Sequence, residues 1–464
     1  MTNLRVVKTD GADAALEASV AQGFADSLRG RVLQAGDDGY DEARKLFNGM
    51  IDHRPALIAS CAGAADVVAA VRFAREHDLQ VSVKGGGHGV AGKAVCDGGL
   101  MIDLSRMKSI RVDPTALVVR AEPGVLGAEL DRETQAFGLA TPVGTVSSTG
   151  IAGLTLGGGQ SWLASKHGLA IDNLLSVDIV TADGNLCSAS ATHHEDLFWA
   201  TRGAGHNFGV ITSFEYRLHR VGPVLGGLVV HPLSQAVEVL RFYREFTASQ
   251  PDELQTWAGL LTLPDGNKVV AVVPFYVGAL DEGERLVAPL RRFGNPIADT
   301  VGRLPYVAMQ QIFDAAFPPG RLNYWKSALA GRLADEVIEA TVEYARKMPS
   351  PFTVILFAEL HGAYSRVGKT ETAYFHRDLQ YDAIILSAWT DPADTQRNID
   401  WTRDLFGAWE PHLAHAAYVN DLGDEGEERA RSAYGDNYSR LAVLKAEYDP
   451  TNLFRLNQNI KPAG

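Results

Sequence analysis

"VSVKGGGHGVAG", residues 81–92, is the stretch whose reading decides the fold. Five of its twelve residues are glycine, and they frame one imidazole, His88. As spelling, Gly87–Gly92 fits G-x-G-x-x-G, in which a strand runs through a glycine turn into a helix whose N-terminus faces a pyrophosphate. The strand is present at Leu79–Val83. The helix is not, because Lys93–Leu104 reads KAVCDGGLMIDL, with a Gly-Gly pair and strand-like alternation. The fingerprint therefore fails on context. A plain tight turn is the other elementary reading, but three consecutive glycines exceed what a turn needs. They do expose a run of backbone N–H groups, an anion nest suited to a diphosphate, with Lys84 beside it as added charge.

The rest of the chain sets the frame. Its 464 residues suit two or three domains, and 46% hydrophobic with 21% charged residues is ordinary globular composition. A net charge of −13 argues against nucleic acid or an anionic membrane as partner. Met1–Gly11 lacks a basic-then-apolar signal pattern, and no run of about 18 apolar residues is present to span a bilayer. Cys61, Cys96 and Cys187 are scattered without a CxxC pair, which fits a reducing cytoplasm and no disulfide framework. His193-His194-Glu195-Asp196 lacks HExxH spacing and reads as a solvated helix start, so no metal is expected. The 46 glycines concentrate in Gly85–Gly99, Gly144–Gly159 and Gly203–Gly209, which suggests backbone approaching a ligand.

Residues 1–50 read as mixed helix with a turn at Asp37-Asp38-Gly39. Ala56–Ala59 is a short strand, and Ala64–His77 an amphipathic helix with Val67, Val68, Val71 and Ala74 at helical spacing. Short strands follow at Leu100–Leu104, Ser109–Val112 and Ala116–Ala121, then a helix at Gly127–Phe137. The block "VGTVSSTGIAGLTLGGGQSW" shows no helical period. Asn173–Thr181 and Asn185–Ala189 form a hairpin about Ala182-Asp183-Gly184. From Pro223, strands such as Val269–Val277 and Thr353–Leu360 alternate with helices such as Ala236–Phe246 and Ala334–Lys347, predicting a second, α+β domain on an antiparallel sheet. The glycine and asparagine texture returns near residue 411.

Four stretches, in this order, resemble the FAD-linked oxidases of the berberine bridge enzyme type, within the vanillyl-alcohol oxidase superfamily and nearest to bacterial 6-hydroxynicotine oxidase-like proteins. Lys84-Gly85-Gly86-Gly87-His88-Gly89 stands where that family has Arg-Ser-Gly-Gly-His-Ser, whose histidine carries the flavin through its 8α-methyl carbon. "TPVGTVSSTGIAGLTLGGGQSW" is similar to its flavin-contacting stretch, "FWATRGAGHNFGVIT" (198–212) to its Trp-Ala-x-Arg-Gly motif, and "AAYVNDLGDEG" with "YDPTNLFRLNQNI" to its closing motifs.

The resemblance implies an α+β fold: a PCMH-type FAD-binding domain of two subdomains over 1–220 (core about 50–220), a substrate domain over 221–410, and a C-terminal segment, 411–464, returning to the FAD domain. It implies FAD held by Lys84, Gly85, Gly86, Gly87, His88, Gly89, Val146, Thr149, Gly150, Gly153, Gly205, Gly209, Val210, Asn420, Asn457 and Asn459. Asn457 and Asn459 alternate on an extended segment and so share a face. Many members carry a second, cysteinyl tether eleven residues before the Gly-Gly-Gly; here that position is Val146, so a single link at His88 is expected. The implied activity is oxidation of a small organic alcohol, amine or hydroxylated ring, with O2 reoxidising the flavin to give H2O2. A dehydrogenase using another acceptor, or a flavin-binding protein without turnover, is the alternative. A cytoplasmic bacterial monomer or homodimer is expected. For the base, Glu359 and His361 are candidates on "FTVILFAELHGAY", where Ile355, Phe357, Glu359 and His361 share one face. Tyr418 and Tyr434 are further candidates. The Glu or Gln of plant relatives, five positions before Trp389, is Ile384 here, and Val90 replaces the tyrosine that follows the flavin histidine in several sugar oxidases.

Overall fold

The structure is a computed structural model and describes residues 3–464. Three main sheets, joined by helices, make an α+β architecture. The first has four strands in the order Arg31–Leu33, Leu57–Ser60, Leu100–Asp103, Val81–Lys84. Leu100–Asp103 pairs in parallel with both Leu57–Ser60 and Val81–Lys84. The helix Ala64–Glu76 is the crossover between the two outer parallel strands, as parallel pairing requires. Its Val67, Ala70, Val71 and Ala74 are fully buried against the sheet.

The second sheet has five antiparallel strands in the order Leu186–Ser190, Leu174–Val180, Val210–Arg217, Val118–Ala121, Ile110–Asp113. The third runs Ala298–Asp299, Val229–Pro232, Lys268–Tyr276, Leu254–Thr262, Val354–Glu359, Tyr381–Trp389, Leu322–Ala330, every pair antiparallel. The helices Ala236–Thr247, Asp335–Arg346 and Thr395–Trp409 cover one face of this sheet. Ala258, Leu260, Ile355, Phe357, Ala383 and Ile385 point into that layer. The alternate residues face the other way, toward the first two sheets.

Two local readings are corrected. The N-terminal stretch opens on a hairpin, Leu4–Val7 with Asp13–Leu16, before the helix Ala18–Ser27. The second glycine block contains a helix, Ile151–Gly157. Seven residues are too few to show a period, and its glycines mask helical propensity that packing overrides.

The C-terminal helix Tyr438–Tyr448 is fixed by a fully buried ion pair, Lys445 Nζ to Asp449 Oδ2 at 2.7 Å. Lys445 also donates to the Asn207 and Phe454 carbonyls at 2.6 and 2.9 Å, so the pair is satisfied on both sides. This stitches the tail to the "GAGHNFGV" turn. Among the described residues, no helix is long and apolar enough to cross a membrane.

Candidate active site

A cavity of about 500 Å³ lies between the third sheet and the glycine-rich segments. Its floor is the loop Gly85–Ala91 and parts of residues 144–154; its roof is the uncovered face of the sheet. A narrower cleft of about 110 Å³ shares Gly85, Gly153, His206 and Asn457 with it and runs on to Gly209 and Val210.

The loop is set by backbone contact. A Cβ on Gly86 would lie 2.5 Å from Gly150 Cα and 2.6 Å from Gly150 N, so the two glycine segments touch main chain to main chain. Gly87 turns the chain at φ +68°, the left-handed region that glycine tolerates. The turn carries His88 onto Phe47, ring over ring at 4.0 Å, while Phe47 N donates to the Gly87 carbonyl at 3.0 Å. Asn48 Nδ2 donates to the carbonyls of Val90 and Asn323, at 2.9 and 3.0 Å, locking the loop to the sheet. Phe47 and Asn48 lie in a polar stretch whose sequence carries no sign of this role.

His88 is a neutral imidazole: burial pushes it down to about 4. Among the described residues its Nε2 has no hydrogen-bond partner, and neither does Oδ1 of Asn457. Buried polar atoms are normally paired, so an orphaned set beside a bare-backbone cradle marks a place shaped for a polar ligand.

The structure brings together Gly85, Gly86, Gly87, His88, Gly89, Val146, Thr149, Gly150, Gly153, Asn420 and Asn457 around the larger space, with Gly209 and Val210 on the narrow cleft. Three expected residues lie elsewhere. Lys84 points under the loop, its Nζ donating to the Ala43 carbonyl at 2.6 Å, because its strand alternation turns it from the cavity. Gly205 abuts Leu156 inside the helix packing. Asn459 falls off the cavity wall because residues 456–458 bend, which ends the extended alternation with Asn457.

The candidate bases separate in the same way. Ile355 and Phe357 belong to the helix-covered core, and Glu359 goes with them. Its carboxylate accepts from Gln250 Nε2 at 2.6 Å and lies 2.7 Å from His361 Nδ1. The alternation of this strand is as read, but the face turned to the cavity is that of Val354 and Leu356. Glu359 and His361 are thus placed outside the cavity wall. Tyr434 is buried beneath it, donating to the Gln458 carbonyl at 3.0 Å. Tyr418 does line the cavity, but its oxygen already accepts from Gly159 N at 2.8 Å and Asn420 Nδ2 at 2.7 Å. Burial, then the Asp421 charge, pushes its phenol up.

The sequence reading missed the polar group that the cavity does contain. Asp421 and Gln160 line the space, and Gln160 Nε2 donates to the fully buried Asp382 at 2.8 Å. Asp382 sits two residues before Ile384, one strand repeat along the same face. The remainder of the roof is apolar: Trp257, Leu261, Val273, Val354, Leu356 and Leu386.

Comparison with known proteins agrees with this geometry. Residues 55–190 match the FAD binding domain family and residues 417–461 the berberine and berberine-like family. An FAD-linked oxidoreductase of Dictyostelium discoideum is 34% identical over 444 residues, 95% of this chain and 96% of the relative. The (R)-6-hydroxynicotine oxidase of Paenarthrobacter nicotinovorans is 32% identical over 458 residues, 94% and 98% of the two chains. The crystal structure of 6-hydroxy-D-nicotine oxidase from Arthrobacter nicotinovorans superposes with a TM-score of 0.86 at 30% identity, covering 94% of this chain and 99% of that one. The bare cradle at Gly86 and Gly150, with the unpaired donors and acceptors around it, fits an FAD. This chain accordingly belongs to the FAD-linked oxidoreductases of the berberine bridge enzyme type.

Proposed function

We propose that this protein is an oxidase that holds FAD by a single covalent bond, from the His88 imidazole to the flavin 8α-methyl carbon, and hands its electrons to O2 to give H2O2. The observation that carries the reading is His88 itself: a neutral ring on a residue that lines the cavity, clamped by Phe47, with a buried and unpaired Nε2. A neutral imidazole keeps the lone pair that a nucleophile needs. Val146 lines the cavity where a cysteinyl tether would stand, which supports one link. When bound, the flavin supplies the hydride acceptor, and the chain supplies orientation, dryness and proton handling.

The flavin-holding part is assigned to residues 1–220 with 411–464, and the substrate-facing part to 221–410. The apolar roof supports a compact, largely apolar substrate bearing an alcohol, amine or hydroxylated ring. A carbohydrate would leave its hydroxyls unpaired against Leu261, Val354, Leu356 and Leu386.

Acid precipitation tests the link: the yellow colour is expected to sediment with the wild-type protein and to stay in the supernatant for His88→Ala. Colour wholly in the supernatant for both overturns the covalent reading. A peroxide assay over hydroxylated N-heterocycles, aromatic alcohols and oligosaccharides tests the oxidase reading. Turnover only with an artificial acceptor would make the protein a dehydrogenase, and no turnover at all a flavin-binding protein.

A further inference from the structure

One polar group in the cavity has no part in the flavin cradle: the two carboxyls at the end of the roof. Asp382 stands directly opposite Ala358, and Ala358 directly opposite Trp257, across three antiparallel strands. Directly opposed residues share a face, so Trp257, Ala358 and Asp382 form one row, with Gly259, Leu356 and Ile384 as the next. Asp382 is fully buried in that row, and the carboxyl of Asp421 lies beside it. Among the described residues, Oδ1 of Asp382 and Oδ2 of Asp421 have no donor. Trp257, 4% exposed and on the cavity wall, likewise keeps an unpartnered Nε1 donor in the same row. Two touching carboxyls in apolar surroundings cannot both ionise, and a single proton held between them satisfies both oxygens.

We propose that Asp421 and Asp382 form one proton-sharing carboxyl pair that receives the proton released by the substrate, Asp421 touching the substrate and Asp382 acting through it. This rests on the oxidoreductase reading. In the step, the substrate C–H bond breaks and its electron pair leaves as hydride to the oxidised flavin. The neighbouring O–H or N–H bond (for a tertiary amine, the ammonium N⁺–H) breaks, its proton passes to the monoanionic pair, which becomes neutral, and a C=O or C=N bond (for a tertiary amine, an iminium C=N⁺) forms. Asp421 opens onto the cavity that His88 lines, while Gln160, also on the cavity wall, donates to Asp382 and holds it in orientation. Tyr418 is the neighbouring alternative, but two donors already occupy its oxygen.

Burial pushes Asp382 up and, with the Asp382 charge, holds Asp421 well above the usual carboxylate range, so the pair keeps a proton where separate carboxylates have lost theirs. The titratable groups around it are Tyr418, Tyr374 and Tyr364. Arg377, over the rings of Tyr364 and Tyr374, is committed to Asp172 by two bonds of 2.8 Å, and Lys93 on the cavity wall pairs with Asp424 at 2.9 Å.

Two readouts test the pair. Infrared difference titration of the flavin-loaded protein is expected to show a carboxyl band that titrates well above the usual carboxylate range and is absent from the double variant Asp382→Asn/Asp421→Asn. No such band in the wild type overturns the proposal. Anaerobic stopped-flow reduction of the bound flavin, with 6-hydroxynicotine and benzyl alcohol as probes, is expected to slow ~10²–10⁴-fold in Asp421→Asn, lose its rise with pH, and regain that rise in Asp421→Glu. Acid precipitation confirms that each variant still holds flavin. An unchanged rate and unchanged pH profile in Asp421→Asn refutes the assignment. A wild type whose flavin neither probe reduces counts against oxidation of that substrate class, and the infrared titration then decides the pair alone.

Discussion

Asp131→Asn is expected to make the protein more stable, and more so at alkaline than at acid pH. Asp131 lies on the helix Gly127–Gln135 and is 1% exposed; its Oδ2 accepts from Gln310 Nε2 at 3.0 Å. Around it, Asp131 Oδ1, Gln310 Oε1 and Tyr306 Oη all lack partners. With one donor and no cation, burial pushes the carboxyl up to about 7. Between its ordinary value near ~4 and that point, the folded state holds a proton that the unfolded chain has released. Stability therefore falls as pH rises through that window and is unaffected below it. At ~1.4 kcal/mol for each tenfold in proton affinity, moving from ~4 to about 7 amounts to roughly 4 kcal/mol at about pH 8 and less than half of that at about pH 5. Asparagine keeps the acceptor for Gln310, adds a donor for the orphaned oxygens, and never ionises. Urea midpoints of the flavin-loaded proteins at the two pH values give the measurement. The variant should exceed wild type by up to ~4 kcal/mol at about pH 8, and the advantage should shrink on acidification. An equal difference at both pH values, or a less stable variant at about pH 8, refutes the ionised, underpaired carboxylate.

Two further substitutions probe the site. Gly86→Ala puts a methyl 2.5 Å from Gly150 Cα, where main chain has no room to give. It should cost ~1–3 kcal/mol and sharply lower the flavin-to-protein absorbance ratio; a normally yellow preparation sinks the close-approach reading. Glu359→Gln should leave flavin content and the pH dependence of flavin reduction as in wild type, because Glu359 faces the helices. A lost pH limb in that variant would return Glu359 to the cavity.

Much of the scaffold was legible in the chain. The strand before the glycine loop, the missing helix after it, and the crossover helix Ala64–Glu76 all follow from local period and turn chemistry, and the structure has them. The failures share one physical origin. Alternation along residues 354–361 says which side chains go together, but a strand buried on both faces gives no sign of which face meets a helix layer and which a cavity. Glu359 lies on the helix-covered side, with Ile355 and Phe357. Proximity in sequence to the glycine loop suggests a diphosphate contact for Lys84, while the alternation of its own strand aims it at Ala43.

The sequence by itself determined the class of chemistry. A glycine run around one histidine offers backbone donors suited to a diphosphate, because backbone approach and a lone reactive group are local properties, and the resemblance of four ordered stretches to the berberine bridge enzyme type is what implies the flavin. Only the tertiary structure decided which acid reaches the cavity. Asp382 and Asp421 lie 39 positions apart in the chain, and neither is unusual in its own segment. Their meaning comes from a sheet register that sets Asp382 in a row with Trp257 and from a returning tail that lays Asp421 against it, excluding water so that two carboxyls must share a proton.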